Sequence, residues 1–503
     1  MKKGLILFFI LLCVTLAFGP AHAARDKDTV VIVQGVDPTT LDPMNHLETP
    51  ALNLCLNIFD TLLQRDANIK IEPLLAESYK LVNDLTWEFK LRKGVKFHNG
   101  EDFNAAAVKY NLERLGDPNN KLRQVFLVGV LDRVDIVDNY TVRVITKKPY
   151  PILDAQLCIY GGMIAPKYLQ EKGPQHLAIN PVGTGPYKFV RWIKDDHILL
   201  EANPNYWKGV PQIKKAIFRP IPEATTRVAA LQTQEADIIT NIPPHLMKLM
   251  DWKGRSYVSK TPSVRVIFMR CDPTKGGPVS DKRVRQALAQ GINMEAIIKK
   301  VLDGNGILLG QPVTDKHFGY DPSVKPYPYN PEKAKKLLAD AGYAKGFDFV
   351  LNSPNGRYLN DKEVAEAAVG DLRKIGINAT VKVHEWGTYM NMQYSHAVNP
   401  SNLLGWGNTA FDADYTLSPL LRTEQALSNF SNAKLDALID QGGTTMDQKK
   451  RQKIYSDAMK LIHEEAAWVW AYQQVDIYGV NERLNWKARL DERLEVFNMS
   501  FKK

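Results

Sequence analysis

The sequence predicts an α/β protein built from more than one lobe, and three observations predict it. The chain of 503 residues is longer than a single hydrophobic core usually serves, and its 45% hydrophobic and 24% charged residues make an ordinary globular mixture. A buried-strand pattern, a polar loop and a helical pattern follow one another near the start, which is the order of an α/β layer. Alternating, strand-like segments then dominate the first half, and helical spacing dominates the second.

The first residues read as a leader. Met1-Lys2-Lys3 is a short basic start, Gly4 to Phe18 is almost wholly apolar, and Ala21-His22-Ala23 is a small-x-small cleavage site of a secretory signal peptide, so residues 1–23 are expected to be removed after Ala23. A membrane span needs about 20 apolar residues. This run is shorter and ends in Gly19-Pro20, and Cys13 follows Leu12 rather than the small residue that a lipid anchor needs.

Asp28 to Gly35 is β-branched and nearly continuous in hydrophobicity, as a buried first strand should be. Asp37 to Pro43 holds two prolines and must be loop. Thr49 to Gln64 returns to helical spacing, with Leu52, Leu54, Cys55, Ile58, Phe59 and Leu62 along one side. From Leu85 the period becomes two: Trp87, Phe89 and Leu91 face one way and Glu88, Lys90 and Arg92 the other, with Lys93-Gly94 predicted to turn the strand into Val95-Lys96-Phe97 as a hairpin. Val134 to Val137 and Tyr140 to Val144 form a second predicted hairpin around Asp138-Asn139, and Tyr187 to Trp192 answers His197 to Glu201 as a third.

In the second half, Ser280-Asp281 precedes a helix from Lys282 to Gln290, and Asn293 to Leu302 continues until Gly304-Asn305-Gly306. Asn330-Pro331-Glu332 opens another helix with proline where its missing N–H costs nothing. Asp361 to Lys374 leads through Gly376 into a strand from Asn378 to Val383, and Met446 to Glu465 is a long amphipathic helix.

Loss of the leader removes Lys2 and Lys3 and so lowers the formal net charge of +10 by two. The remaining Lys and Arg are scattered, without the basic, aromatic-interleaved stripe of a nucleic-acid binder. Cys55, Cys158 and Cys271 remain, too far apart for a zinc ribbon or a Cys-x-x-Cys pair, so at most one disulfide forms and one thiol stays free and buried. Phosphate-loop and Gly-x-Ser-x-Gly patterns are missing, and His384-Glu385 and His463-Glu464 lack the second His of a zinc-protease helix. No nucleophile, cofactor or metal site is singled out.

Trp87-Glu88-Phe89-Lys90-Leu91-Arg92-Lys93-Gly94-Val95-Lys96-Phe97-His98-Asn99-Gly100, followed by Phe103-Asn104-Ala105, resembles the signature of the extracellular solute-binding proteins, family 5, which serve peptide, nickel and opine ABC importers. The resemblance continues through Gly183-Thr184-Gly185-Pro186-Tyr187, Asn205-Tyr206-Trp207-Lys208-Gly209, Asp281 to Leu288 and Asn330 to Ala334, with Ala106-Ala107 standing where relatives carry Glu-Asp. It implies a two-lobed periplasmic binding protein fold of type II, cluster C-like, with an extra strand-rich subdomain in the first lobe. The expected division is 24–70 for the first segment of lobe 1, 71–180 for the inserted subdomain, 181–265 for the second segment, 266–475 for lobe 2 and 476–503 for the C-terminal segment of lobe 1. The glycines of the Gly183 turn are expected to supply backbone angles that other residues resist.

A binder of this kind closes by a hinge around a ligand that touches both lobes. A buried zwitterion would need a fixed carboxylate and a fixed guanidinium, because an unpaired buried charge costs several kcal/mol. Peptide-binding relatives tend to have an aspartate three residues after the tryptophan of Gly405-Trp406-Gly407-Asn408-Thr409; here that position is Thr409. Either Asp412 or Asp414 takes over, or the ligand lacks a buried amino terminus; equally, the two aspartates only cap the following helix. Arg357, in the loop Ser353 to Tyr358, and Arg270, at the end of an apolar strand, are the candidates for a carboxylate. The candidate ligand-binding residues are therefore Arg270, Arg357, Trp406, Asn408, Thr409, Asp412 and Asp414.

The leading expectation is a periplasmic, monomeric receptor without a cofactor, not an enzyme, that hands a small peptide or peptide-like solute to an ABC permease of the inner membrane. A binder of a nickel chelate, an opine or haem is the alternative, and an exported peptidase or hydrolase the second.

Overall fold

The computed structural model describes residues 27–502, and the expected leader lies outside the described residues. Thr29–Gln34 is the expected first strand, buried almost throughout and paired in parallel with Lys215–Pro220. The helix after it covers only Thr49–Ile58. It stops because the chain is needed elsewhere: Gly185 N–H donates to the carbonyl of Ile58 at 2.9 Å, and Leu63–Arg65 leaves to pair with Ile71–Pro73.

That contact also corrects the expected role of the Gly183 turn. Neither Gly183 nor Gly185 has a positive φ. A Cβ on Gly183 would lie 2.2 Å from the Ile58 carbonyl oxygen, so these glycines are there for close approach to the helix end.

Ala76–Asn83, Thr86–Leu91, Thr141–Thr146 and Leu131–Asp138 form a four-stranded antiparallel sheet in that order. Trp87, Phe89 and Leu91 are buried as the alternation requires; each such side chain contributes about 1.5–3 kcal/mol by leaving water. Their strand pairs with Ala76–Asn83, not with Val95-Lys96-Phe97. The partner was hidden because Ala76–Asn83 is mostly exposed and polar, whereas past Gly94, at φ +75°, only Lys96 and Asp102 form an isolated bridge.

One eleven-stranded sheet runs through the rest of the molecule. At one end it holds Tyr187–Ile193, His197–Ala202, Lys215–Pro220, Thr29–Gln34 and Ile238–Ile239; at the other it holds Ser401–Gly407, Asp348–Pro354 and Asn378–His384. Between them lie two long antiparallel strands, Ser256–Cys271 and Trp468–Asn481, which connect the halves. Their pairing is regular from Ser256 to Pro262 and resumes at Val266, with Ser263–Arg265 bulged out of register. Helices Lys282–Gly291, Met294–Lys300, Pro331–Asp340, Asp361–Lys374 and Gln448–Glu464 pack on the second half.

Apolar packing follows this plan. One cluster joins Val30, Leu54, Phe89, Leu112 and Leu494 in the first half, a second joins Val33, Leu231, Met269, Leu288 and Phe349 along one side of the long sheet, and a third gathers Phe268, Leu404, Leu435 and Tyr455 in the second half. Among the described residues no helix is long and apolar enough to cross a membrane.

Candidate ligand-binding site

Where the long strands pass between the halves, the bulge at Ser263–Arg265 turns Arg265 towards the first half. Its Nε and Nη2 donate to the Glu492 carboxylate at 3.1 and 2.6 Å, and Nη2 also reaches Thr49 Oγ1 at 3.0 Å, at the start of helix Thr49–Ile58. Ser263 Oγ donates to the same carboxylate at 2.5 Å. Burial pushes the Glu492 carboxyl up, but the charge and hydrogen bonds of Arg265 outweigh it and hold it below the usual range. Asp476, on the second long strand, has no such partner: burial and then the charge of Glu492 push its carboxyl up to about 7, and its Oδ2 is buried without a hydrogen bond.

Arg357 stands beside this group on the loop after strand Asp348–Pro354. The Asp361 carboxylate fixes the loop by accepting the backbone N–H groups of Gly356, Arg357 and Tyr358 at 2.9, 3.0 and 3.0 Å. The guanidinium lies 5.2 Å from the ring centre of Tyr358 and 5.1 Å from that of Trp386, but among the described residues it has no hydrogen-bond acceptor and no carboxylate within ion-pair distance. Burial, and then the like charge of Arg265, lower its pKa. An arginine walled by aromatics and left without a counter-charge is chemically ready for an incoming carboxylate.

The third wall is the end of strand Ser401–Gly407. Trp406 is fixed by its Nε1–H donating to the carbonyl of Tyr415 at 3.1 Å. A Cβ on Gly405 would strike the Tyr358 ring at 2.6 Å, and one on Gly407 would touch Arg265, so the strand lies flat against both. Thr409 follows, near the hydroxyl of Tyr160 from the first half. Tyr160 in turn bonds to the hydroxyl of Tyr415.

Arg357, Trp406 and Thr409 are half-buried where the halves meet, whereas the other four candidates are engaged within the second half. Arg270, 2% exposed, spends its fork on Asn402 Oδ1, the carbonyls of Leu427 and Leu420, and Gln393 Oε1. Asn408 Nδ2 donates to the Asp412 carbonyl and Thr416 Oγ1, both at 2.7 Å. Asp412 is held by Arg451 through two bonds of 2.6 and 2.7 Å and caps the next helix by accepting Asp414 N–H at 3.0 Å. Asp414 accepts from Tyr455 Oη at 3.1 Å, with its carboxyl pushed up to about 6 by burial and the Asp412 charge. These four residues serve internal networks, because each finds its partners inside the second half.

Arg265, Glu492, Thr49, Tyr160, Tyr358 and Trp386 were missed. Of these only Arg265, a charge between Val264 and Val266 in an apolar strand, carried a local signal. His384 instead bonds to Asn352 Oδ1 at 2.9 Å, and His463 stacks on Tyr327.

Two α/β halves joined by paired strands, with an aromatic-walled guanidinium between them, define a two-lobed binding protein. The chain belongs to the bacterial extracellular solute-binding proteins, family 5, whose model matches residues 70–428. Glutathione-binding protein GsiB of Pectobacterium atrosepticum is 32% identical over 464 residues, covering 90% of this chain and 89% of that protein. The Helicobacter pylori ABC transporter-associated periplasmic binding protein DppA, in complex with the peptide STSA, superposes with a TM-score of 0.86 at 25% identity over 94% of this chain and 98% of that one. AgaA of A. tumefacien R10, in complex with agropinic acid, gives a TM-score of 0.84 at 26% identity, covering 94% and 99%. The fold is therefore the two-lobed one that the resemblance implied.

Proposed function

We propose that this protein is an exported receptor of an ABC importer that closes around a small peptide or peptide-like solute, holds its carboxylate on Arg357 and delivers it unaltered to the permease. One observation carries the reading: the half-buried guanidinium of Arg357 lies against Tyr358 and Trp386 and, among the described residues, has no carboxylate within ion-pair distance. The solute's amino group, if buried, would not find an acid at Thr409, because a threonine hydroxyl carries no charge and both Asp412 and Asp414 are engaged elsewhere. The names of the relatives, a glutathione binder and peptide binders among them, support a carboxylate-bearing peptide-like solute.

In this reading residues 266–475 move against the remainder about the two long strands, the mature chain begins after Ala23, and it acts as a periplasmic monomer. The test is calorimetric titration with glutathione, dipeptides and tripeptides. At least one is expected to bind, with affinity weakened by about 2–5 kcal/mol in Arg357→Gln. No binding across the panel, or equal affinity in a folded Arg357→Gln variant, would overturn it.

A further inference from the structure

We propose that the cavity beside Arg65 is a second anion-binding site between the lobes, built to take the carboxylate of a small organic acid. The cavity encloses about 600 Å³ and draws its walls from both halves, with Arg65, Lys70 and Asp154 on one side and Lys316, Phe411 and Arg451 on the other. It shares no lining residue with the group around Arg357.

Arg65 is the reason to assign an anion. It is 8% exposed, and its fork is held rigidly from both lobes: Nη1 donates to the Ile69 carbonyl at 2.7 Å and Nη2 to the Ala410 carbonyl at 2.6 Å, while the Phe411 ring centre lies 4.9 Å away. Its Nε–H is buried without an acceptor, and each terminal nitrogen keeps a second N–H. All its acceptors are neutral carbonyls, and among the described residues no carboxylate lies within ion-pair distance of it. Asp412, in the same wall, is occupied by Arg451 through both oxygens. Asp154 accepts the backbone N–H of Ala155 at 2.7 Å; burial raises its pKa and the charge of Arg65 lowers it, but the two side chains make no direct bond. Asp491, a further neighbour, is held by Arg489 at 2.7 Å and Arg493 at 3.3 Å.

Physical chemistry does the rest. A buried cation with no carboxylate in ion-pair distance is costly, and a carboxylate entering the cavity and accepting from a second N–H of a terminal nitrogen would offset that cost with a charge-assisted bond. Lys70 and Lys316 are exposed, and Lys316 shares only a surface pair with Asp315 at 3.1 Å, so both can draw an anion to the entrance. The volume lies within the range of small-molecule pockets, which leaves room for the body of an acid as well as its charged end. Since the fork is held by Ile69 from one lobe and Ala410 from the other, an occupant favours the arrangement in which the two are together.

The carboxylate can belong to a separate acid or to the far end of a solute anchored elsewhere in the gap, and two probes distinguish the sources. Succinate and the acidic dipeptide Glu-Glu are each titrated into the mature protein, into Arg65→Gln, and into Lys70→Gln/Lys316→Gln, whose exposed substitutions leave the Arg65 bonds intact. Saturable succinate binding, weakened at least fivefold by either change, with a carboxylate oxygen next to the Arg65 guanidinium in crystals grown with succinate, assigns a separate acid. Binding of the dipeptide alone, weakened in the same variants, assigns the far end of a longer solute. If neither probe binds, or if neither affinity responds to the double lysine variant, the proposal is overturned, whether or not Arg65→Gln folds.

Discussion

Tyr160 and Tyr415 meet hydroxyl to hydroxyl across the gap between the lobes, their rings tilted by 33° at 6.2 Å. Burial keeps both phenols protonated by raising their pKa. This is a neutral latch at the point where peptide-binding relatives tend to place an acid.

Removing one hydroxyl should loosen the latch. A net hydrogen bond contributes about 0.5–1.5 kcal/mol. Tyr160→Phe is therefore expected to enlarge the radius of gyration of the ligand-free protein in X-ray scattering and to weaken ligand affinity by up to about tenfold. Identical scattering curves for the two proteins would show that the contact does not hold the lobes together.

The ion pair between Asp412 and Arg451 is buried on both sides. Asp412→Asn leaves a buried guanidinium without its counter-charge, a change that typically costs about 3–5 kcal/mol. The melting temperature is expected to fall clearly while ligand affinity, measured well below the transition, stays close to that of the parent. An unchanged melting temperature would contradict the pairing; a large loss of affinity with little loss of stability would return Asp412 to the ligand site.

Asp476 should make stability depend on pH. Its folded carboxyl is pushed up to about 7 by burial and by Glu492, with Arg265, Gln474 and Ser263 also facing it. In an unfolded chain aspartate titrates near ~3.9. Between those values the folded protein holds more protons, so this group's contribution is complete below about pH 4 and is lost as the pH rises towards 7. Asp476→Asn is expected to raise the melting temperature more at about pH 8 than at about pH 5. Equal offsets at both would mean that Asp476 is ionised throughout.

The thiols offer a simple check on packing. Cys55, Cys158 and Cys271 are free and buried, and burial raises all three, Cys158 and Cys271 to about 12. Because the thiolate is the reactive form, a thiol reagent should label the native mature protein slowly and find three equivalents on unfolding. Fewer than three after unfolding would mean that a disulfide forms.

What could be read from the chain alone follows from the range of the forces involved. The strand Thr29–Gln34, the hairpin around Asp138-Asn139 and the helix Pro331–Asp340 were legible because alternation, turn residues and caps act over a few positions. The end of the first helix was not, since Ile58 is stopped by a glycine turn more than a hundred residues away. The site suffered in the same way. Asp412 and Arg451 are 39 residues apart and Arg265 and Glu492 are 227 apart, so no local pattern says which charges are already matched and which are left over. Arg357 could be named as a candidate because a strand-end loop is where α/β lobes expose such groups.

The ladder between Ser256–Cys271 and Trp468–Asn481 is interrupted chiefly at Ser263–Arg265, where Glu492 braces the bulge. A change of angle between the halves must then appear as torsion of a two-stranded ribbon rather than as the swing of a slack tether. The contacts of Glu492 with Arg265 and Ser263 sit at the point where that ribbon's own ladder is broken.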